Sequence, residues 1–223
     1  MEFKIKEIIR TNRKTIALCI QKDGSLVVRA PHFADSRYIK KIVYKKRFWV
    51  AKKVKQVRQN SRLNIRKKFI QGENFLYLGK DYKLTIDSFA SGKLFLEDEF
   101  ILPKTCAGRA REEFMHWYRQ KAKEKIKQRV DYYQSLIGGR YNKINITSAR
   151  TRWGSCGAKG NLNFSWRIIM APLWVLDYVV IHEIMHLWER NHSKKFWVKL
   201  GAFSPDYKRA HSWLKEKGYS LCI

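Results

Sequence analysis

From Leu173 to Trp188 the chain is apolar on every side of a helix. Leu173, Trp174, Leu176, Tyr178, Val179, Val180, Ile181, Ile184, Met185, Leu187 and Trp188 leave no polar face. A helix that is hydrophobic all round belongs inside a protein, so the rest of the fold has to pack around this segment. Yet it carries His182, Glu183 and His186. Two imidazoles and a carboxylate in such a place are costly without partners. Side chains four apart lie one turn apart on the same face, so His182 and His186 can grip one divalent metal. Glu183 can then reach a water on that metal and act as general base in a hydrolysis, the chemistry of the His-Glu-x-x-His pattern.

His192 is the natural third ligand. The helix is expected to end near Glu189, with Asn191 and Ser193 turning the chain and capping a next helix over Lys194–Leu200. Three histidines and a water make an open, catalytic type of zinc site, not a closed structural one; manganese or nickel are other candidates. Glu189, seven residues from His182 on a continuing helix face, is the alternative ligand. The spacing His182, His186, His192 equals that of metzincin proteases. Glu189 stands where they have Gly, however, and no Met follows Met185 to make a Met-turn.

Charge is the outlying property. Lys and Arg number 47 against 19 Asp and Glu, a formal net charge of +28, which attracts polyanions. Between Ser36 and Gln71 there are fourteen Lys or Arg and no acid. Apolar residues recur at helical spacing beneath them, so this is a solvated helix face over a core and a candidate nucleic-acid surface. Cys19, Cys106, Cys156 and Cys222 lack Cys-x-x-Cys spacing and suggest neither a zinc ribbon nor a disulfide framework. Without a signal-like or membrane-spanning apolar run, the expectation is a reduced, cytoplasmic protein with no membrane partner.

The fold class expected is α+β: an antiparallel β N-terminal portion, residues 1–103, with a basic helical insertion, then a metal-binding domain over 104–223 with its active-site helix and a small sheet. Asp23-Gly24 is a hairpin signal between Thr15–Ile20 and Leu26–Ala30. Ser36 is expected to cap the first helix. A long helix is expected from about Ala110 to Leu136, ended by Gly138-Gly139. The strand at Asn161–Ser165 is expected to be a sheet edge that can pair with an extended peptide.

Arg152-Trp-Gly-Ser-Cys156, Asn161-Leu-Asn163, Pro172, His182-Glu-x-x-His186 and Asn191-His-Ser-x-x-Phe-Trp197, together with Arg29-Ala-Pro31, Phe48-Trp49 and Leu78-Gly-Lys80, resemble the YgjP-like predicted metal-dependent hydrolases over the whole chain. Those are zincin-like proteins related in their metal domain to SprT-like proteases. The resemblance implies zinc on His182, His186 and His192 with Glu183 as catalytic base. It implies a metallopeptidase-type activity first, and a nucleotide pyrophosphatase acting on UTP as the alternative. A nucleic-acid-binding module with a structural metal is the third reading, disfavoured by the open three-histidine site. Arg150, Arg152, Trp153 and Asn163 are the candidate substrate contacts. Cys156 lacks an evident activating group and reads as structural. His211 reads first as a surface or packing residue, with a hydrogen-bond donor to the transition state as the alternative.

Overall fold

A computed structural model describes residues 4–21, 23–63 and 67–223; residues 1–3, Lys22 and residues 64–66 of the basic run lie outside the described residues. Two units are present, Met1–Ile65 and Arg66–Ile223. The unit that holds the metal helix therefore begins about forty residues before the boundary expected at Pro103.

In the first unit, β3 (Leu26–Pro31) is central between β1 (Ile5–Thr11) and β2 (Ala17–Ile20). The Asp23-Gly24 turn makes β2 and β3 antiparallel, as its chemistry requires. β1 runs parallel to β3, which corrects the expectation of an all-antiparallel sheet: the hairpin signal fixes one pairing and nothing local fixes the other. Helix α1 (Ser36–Lys45) and helix α2 (Arg47–Leu63) follow. Asp35, not Ser36, caps α1, its carboxylate accepting from the Arg37 amide at 3.2 Å. Leu26, Val28, Ala30, Ile39, Val43 and Val50 close this unit's core.

The second unit begins with a sheet of β4 (Asn74–Tyr77), β5 (Lys80–Asp87), β6 (Phe95–Leu96) and β7 (Phe100–Pro103), in the order β4-β5-β7-β6. Here too one pairing, β5 with β7, is parallel. The long helix α3 (Ala110–Ile137) brings Phe114, Trp117 and Tyr118 against Phe75 and Phe100 in edge and stacked ring contacts. A second small sheet has the order β8-β10-β9, from β8 (Ile144–Thr147), β9 (Gly154–Cys156) and β10 (Leu162–Ser165). Helices α4 (Leu173–Met185), α5 (Lys194–Phe203) and α6 (Tyr207–Lys217) complete it.

The apolar segment is buried as its composition demands, with nine of its thirteen α4 residues inside, Glu183 among them. Across its face to α3, Asp177 and Arg129 make a two-pronged ion pair at 2.6 and 2.9 Å. At the N-terminus of α4, Pro172 sits under the β4–β5 turn. Leu78 and Gly79 donate backbone bonds to the Ile169 and Met170 carbonyls, and Gly79 has φ of +81°. A Cβ on residue 79 would lie 2.8 Å from Pro172 Cα. Gly79→Ala is therefore expected to destabilise the protein by roughly 1–3 kcal/mol, read as a lowered denaturation midpoint, through positive-φ strain plus this clash. Among the described residues no helix is long and apolar enough to cross a membrane.

Candidate metal centre

α4 ends at Met185, earlier than the expected Glu189, and His186 occupies its C-cap with helical φ and ψ. Tight turns then form, with Leu187 and Trp188 donating to the carbonyls three residues back, and the chain reverses. Asn191 Oδ1 accepts the Ser193 amide at 3.1 Å, which starts α5. Ending the helix early is what swings His192 back over the face that bears His182 and His186.

The three imidazoles meet. One nitrogen from each of His182, His186 and His192 lies within 4.8 Å of the others, and the Nε2 atoms of His182 and His192 are 3.0 Å apart. Ligands about 2.0–2.1 Å from a tetrahedral zinc are about 3.3 Å apart, so the pair already sits near one edge of that tetrahedron. His186 Nδ1 is 2.9 Å from the Glu189 carbonyl oxygen. A carbonyl can only accept, so Nδ1 carries the proton and the Nε2 lone pair is left for a metal. Glu189, the alternative ligand, has its carboxylate 2.8 Å from Lys199; it braces His186 through its backbone instead.

Phe196 is fully buried and lies 4.7 to 5.0 Å, centroid to centroid, from all three imidazoles. Trp197 stacks on His192 at 5.6 Å and donates its indole N–H to the His192 carbonyl at 3.1 Å. These rings fix the ligands. The sequence flagged Phe196 and Trp197 only through the resemblance, since an apolar pair early in a helix reads as ordinary core.

Burial pushes His182 down to about 3, helped by the neighbouring histidines, and pushes His186 down as well. Both are neutral, as ligands must be. Glu183 is 5% exposed. Burial pushes its carboxyl up to about 8, opposed by the Arg152 guanidinium. Glu183 Oε2 and His182 Nδ1 are buried without a hydrogen-bond partner among the described residues. Orphaned buried polar atoms are expensive, and here they sit beside three converging nitrogens. That all-nitrogen, three-donor set fits zinc with a further position open.

His182 and Glu183 open onto a cleft of ≈ 310 Å³ that Trp153, Gly154, Tyr178, His211 and Leu214 also line. Trp153 is thus at the cleft, and His211, expected first as a surface or packing residue, is exposed and also lines it. Arg152 is near enough to act on Glu183. Arg150 lies by Arg167 and Cys222. Asn163 is a clasp within the small sheet, its Oδ1 accepting from Asn145 Nδ2 at 2.9 Å and its Nδ2 donating to the Ser155 carbonyl at 3.2 Å. Cys156 is half-buried, and burial pushes its thiol up, which suits a structural residue and not a nucleophile. Tyr178, whose phenol burial pushes up to about 12, was missed because it reads as one more apolar residue of α4.

The strand expected at the sheet edge, β10, is paired on both sides, parallel to β8 and antiparallel to β9. The edge is β9. Gly157 and Ser165 donate to the Asn161 and Trp153 carbonyls, so by alternation Gly154 and Cys156 turn their peptide groups away from β10. Gly154 also has a steric role. A Cβ there would lie 2.5 Å from Glu183 Oε1 and 2.6 Å from its Cγ.

The metallopeptidase-domain model of the YgjP-like family matches residues 14–217. The chain belongs to the YgjP-like family. With that domain it is a metal-dependent hydrolase of the peptidase type, and a histidine triad able to hold a divalent metal lies within the matched residues of this YgjP-like chain. Among solved structures it is similar to the metallopeptidase zymogen of Pyrococcus abyssi abylysin, at 16% identity and a TM-score of 0.38, over 42% of this chain and 95% of that one. No curated protein matches it.

Proposed function

We propose that this chain is a zinc peptidase in which His182, His186 and His192 hold the metal and Glu183 is the general base. The observation that carries this reading is three imidazole nitrogens within 4.8 Å of one another beside a buried carboxylate with an orphaned oxygen. A zinc ion held there supplies Lewis acidity toward a water and the scissile carbonyl, and its charge favours the ionised form of Glu183. Glu183 takes the proton of the attacking water and returns it to the departing amine. The outward peptide groups of Gly154 and Cys156 on β9 accept an extended substrate as an added strand. Trp153, Tyr178 and Leu214 wall the cleft, and Tyr178 keeps its proton at neutral pH and serves as a donor to substrate.

The test sets an unfolded protein and UTP before the zinc-loaded chain in parallel. New amino termini that vanish with chelator and return with zinc are the expected result. Pyrophosphate from UTP with no new termini would overturn the peptide reading. His192→Ala is expected to lower zinc affinity by more than the roughly 10–100-fold that outer-shell changes cost, read by metal content after dialysis.

A further inference from the structure

The first unit carries a surface that hydrolysis does not use. Tyr44 and Phe48, at the end of α1 and the start of α2, are 64% and 74% exposed. Single exposed apolar residues are ordinary, but these two flank one guanidinium. Arg47 Cζ lies 4.4 Å from the Tyr44 ring centroid and 4.5 Å from that of Phe48. Its Nη1 donates to the Tyr44 carbonyl at 3.2 Å, which holds the group in place. The result is a fixed ring–guanidinium–ring platform.

The platform borders a groove of ≈ 950 Å³ lined by Lys4, Lys6, Lys40, Lys41, Tyr44 and Arg47 together with the aliphatic Ile5, Ile8 and Val43, with Glu7 its one acidic residue. We propose that this groove and platform bind single-stranded nucleic acid, the lysines following the phosphates and the rings of Tyr44 and Phe48 stacking on bases. Unpaired bases offer π-faces to exposed rings and to arginine, and stacking of this kind tolerates any sequence. A duplex hides those faces, so the platform selects against it. An anionic membrane fits less well. Interfacial helices separate an apolar face from a basic one, whereas here Lys40, Lys41 and Arg47 interleave with the rings. The inference does not depend on the reading of the metal centre.

Fluorescence anisotropy of a labelled 15-nucleotide oligothymidylate and of a duplex of equal length tests this on the full chain. The single strand is expected to bind more tightly than the duplex. Tyr44→Leu with Phe48→Leu, which keeps apolar surface but removes the rings, is expected to weaken it at least tenfold with an unchanged salt dependence. Lys40→Gln with Lys41→Gln is expected to reduce the slope of log affinity against log salt by about 1.4, from ~0.7 per phosphate contact. All four side chains are exposed, and circular dichroism of each variant confirms the fold. Undiminished oligonucleotide binding by the leucine variant would overturn the proposal. So would an absence of oligonucleotide binding in a protein that binds phosphatidylserine vesicles, with or without the rings.

Discussion

Glu183→Gln is expected to cut peptide hydrolysis by about 10²–10⁴-fold, the usual worth of a positioned general base, while the bound zinc stays. Glutamine keeps the volume and hydrogen-bonding edge of the side chain but cannot take a proton. Because Glu183 is not among the three converging nitrogens, metal content should match the wild type. Turnover within twofold of wild type would remove Glu183 from the mechanism. The same variant has a second signature once the metal is stripped. The folded carboxyl sits at about 8 against an ordinary 4.5, so between those values the folded protein holds a proton that the unfolded chain has released. This stability is complete below 4.5 and is lost as pH rises through 8. Glutamine does not titrate, so metal-free Glu183→Gln should match wild type near pH 5 and exceed it at pH 9 by a few kcal/mol, each tenfold change in proton affinity being worth ~1.36 kcal/mol. His182 works the other way. Its depressed value, about 3 against 6.5, leaves stability intact above 6.5 and removes it as pH falls toward 3.

Gly154→Ala is the second large effect. Residue 154 lies in a strand and has no positive φ, so alanine suits the backbone. What it does not suit is Glu183, whose Oε1, Cγ and Cδ would lie 2.5, 2.6 and 2.8 Å from the new methyl. Glu183 is buried, so the carboxylate is displaced from its place in the cleft. A displacement of about 1 Å costs on the order of 10² in rate. The expectation is a kcat lowered by about that factor, with normal zinc content and a melting temperature lowered in keeping with the roughly 1–3 kcal/mol that overpacking costs. An unaltered kcat would mean that the carboxylate does not have to occupy its observed position. A loss of metal would mean that β9 supports the ligands and not the base.

How legible this was depended on the range of each signal. The metal helix declared itself because His182 and Glu183 sit among apolar neighbours, a contradiction that needs no partner sequence to notice. His192 was legible for the same local reason, with Asn191 and Ser193 marking a turn. Gly154 was not. Its neighbour Glu183 lies twenty-nine residues away, and a glycine before Ser-Cys gives no sign of what it must clear. The parallel placement of β1 and β5 was hidden likewise, since hairpin chemistry speaks only for adjacent strands. Asn163 was a candidate contact for substrate because its strand was expected to wall the cleft; its amide is occupied inside the sheet.

One consequence follows from where the ligands fall. His182, His186 and His192 lie within eleven consecutive positions and rest on a single ring, that of Phe196. Linking positions so close removes less chain entropy from the unfolded state than linking distant ones would, and the ion ties no distant parts of the polypeptide together. What the metal adds to folding is set by its concentration relative to its dissociation constant. Such a centre can be emptied and refilled without rebuilding the protein around it.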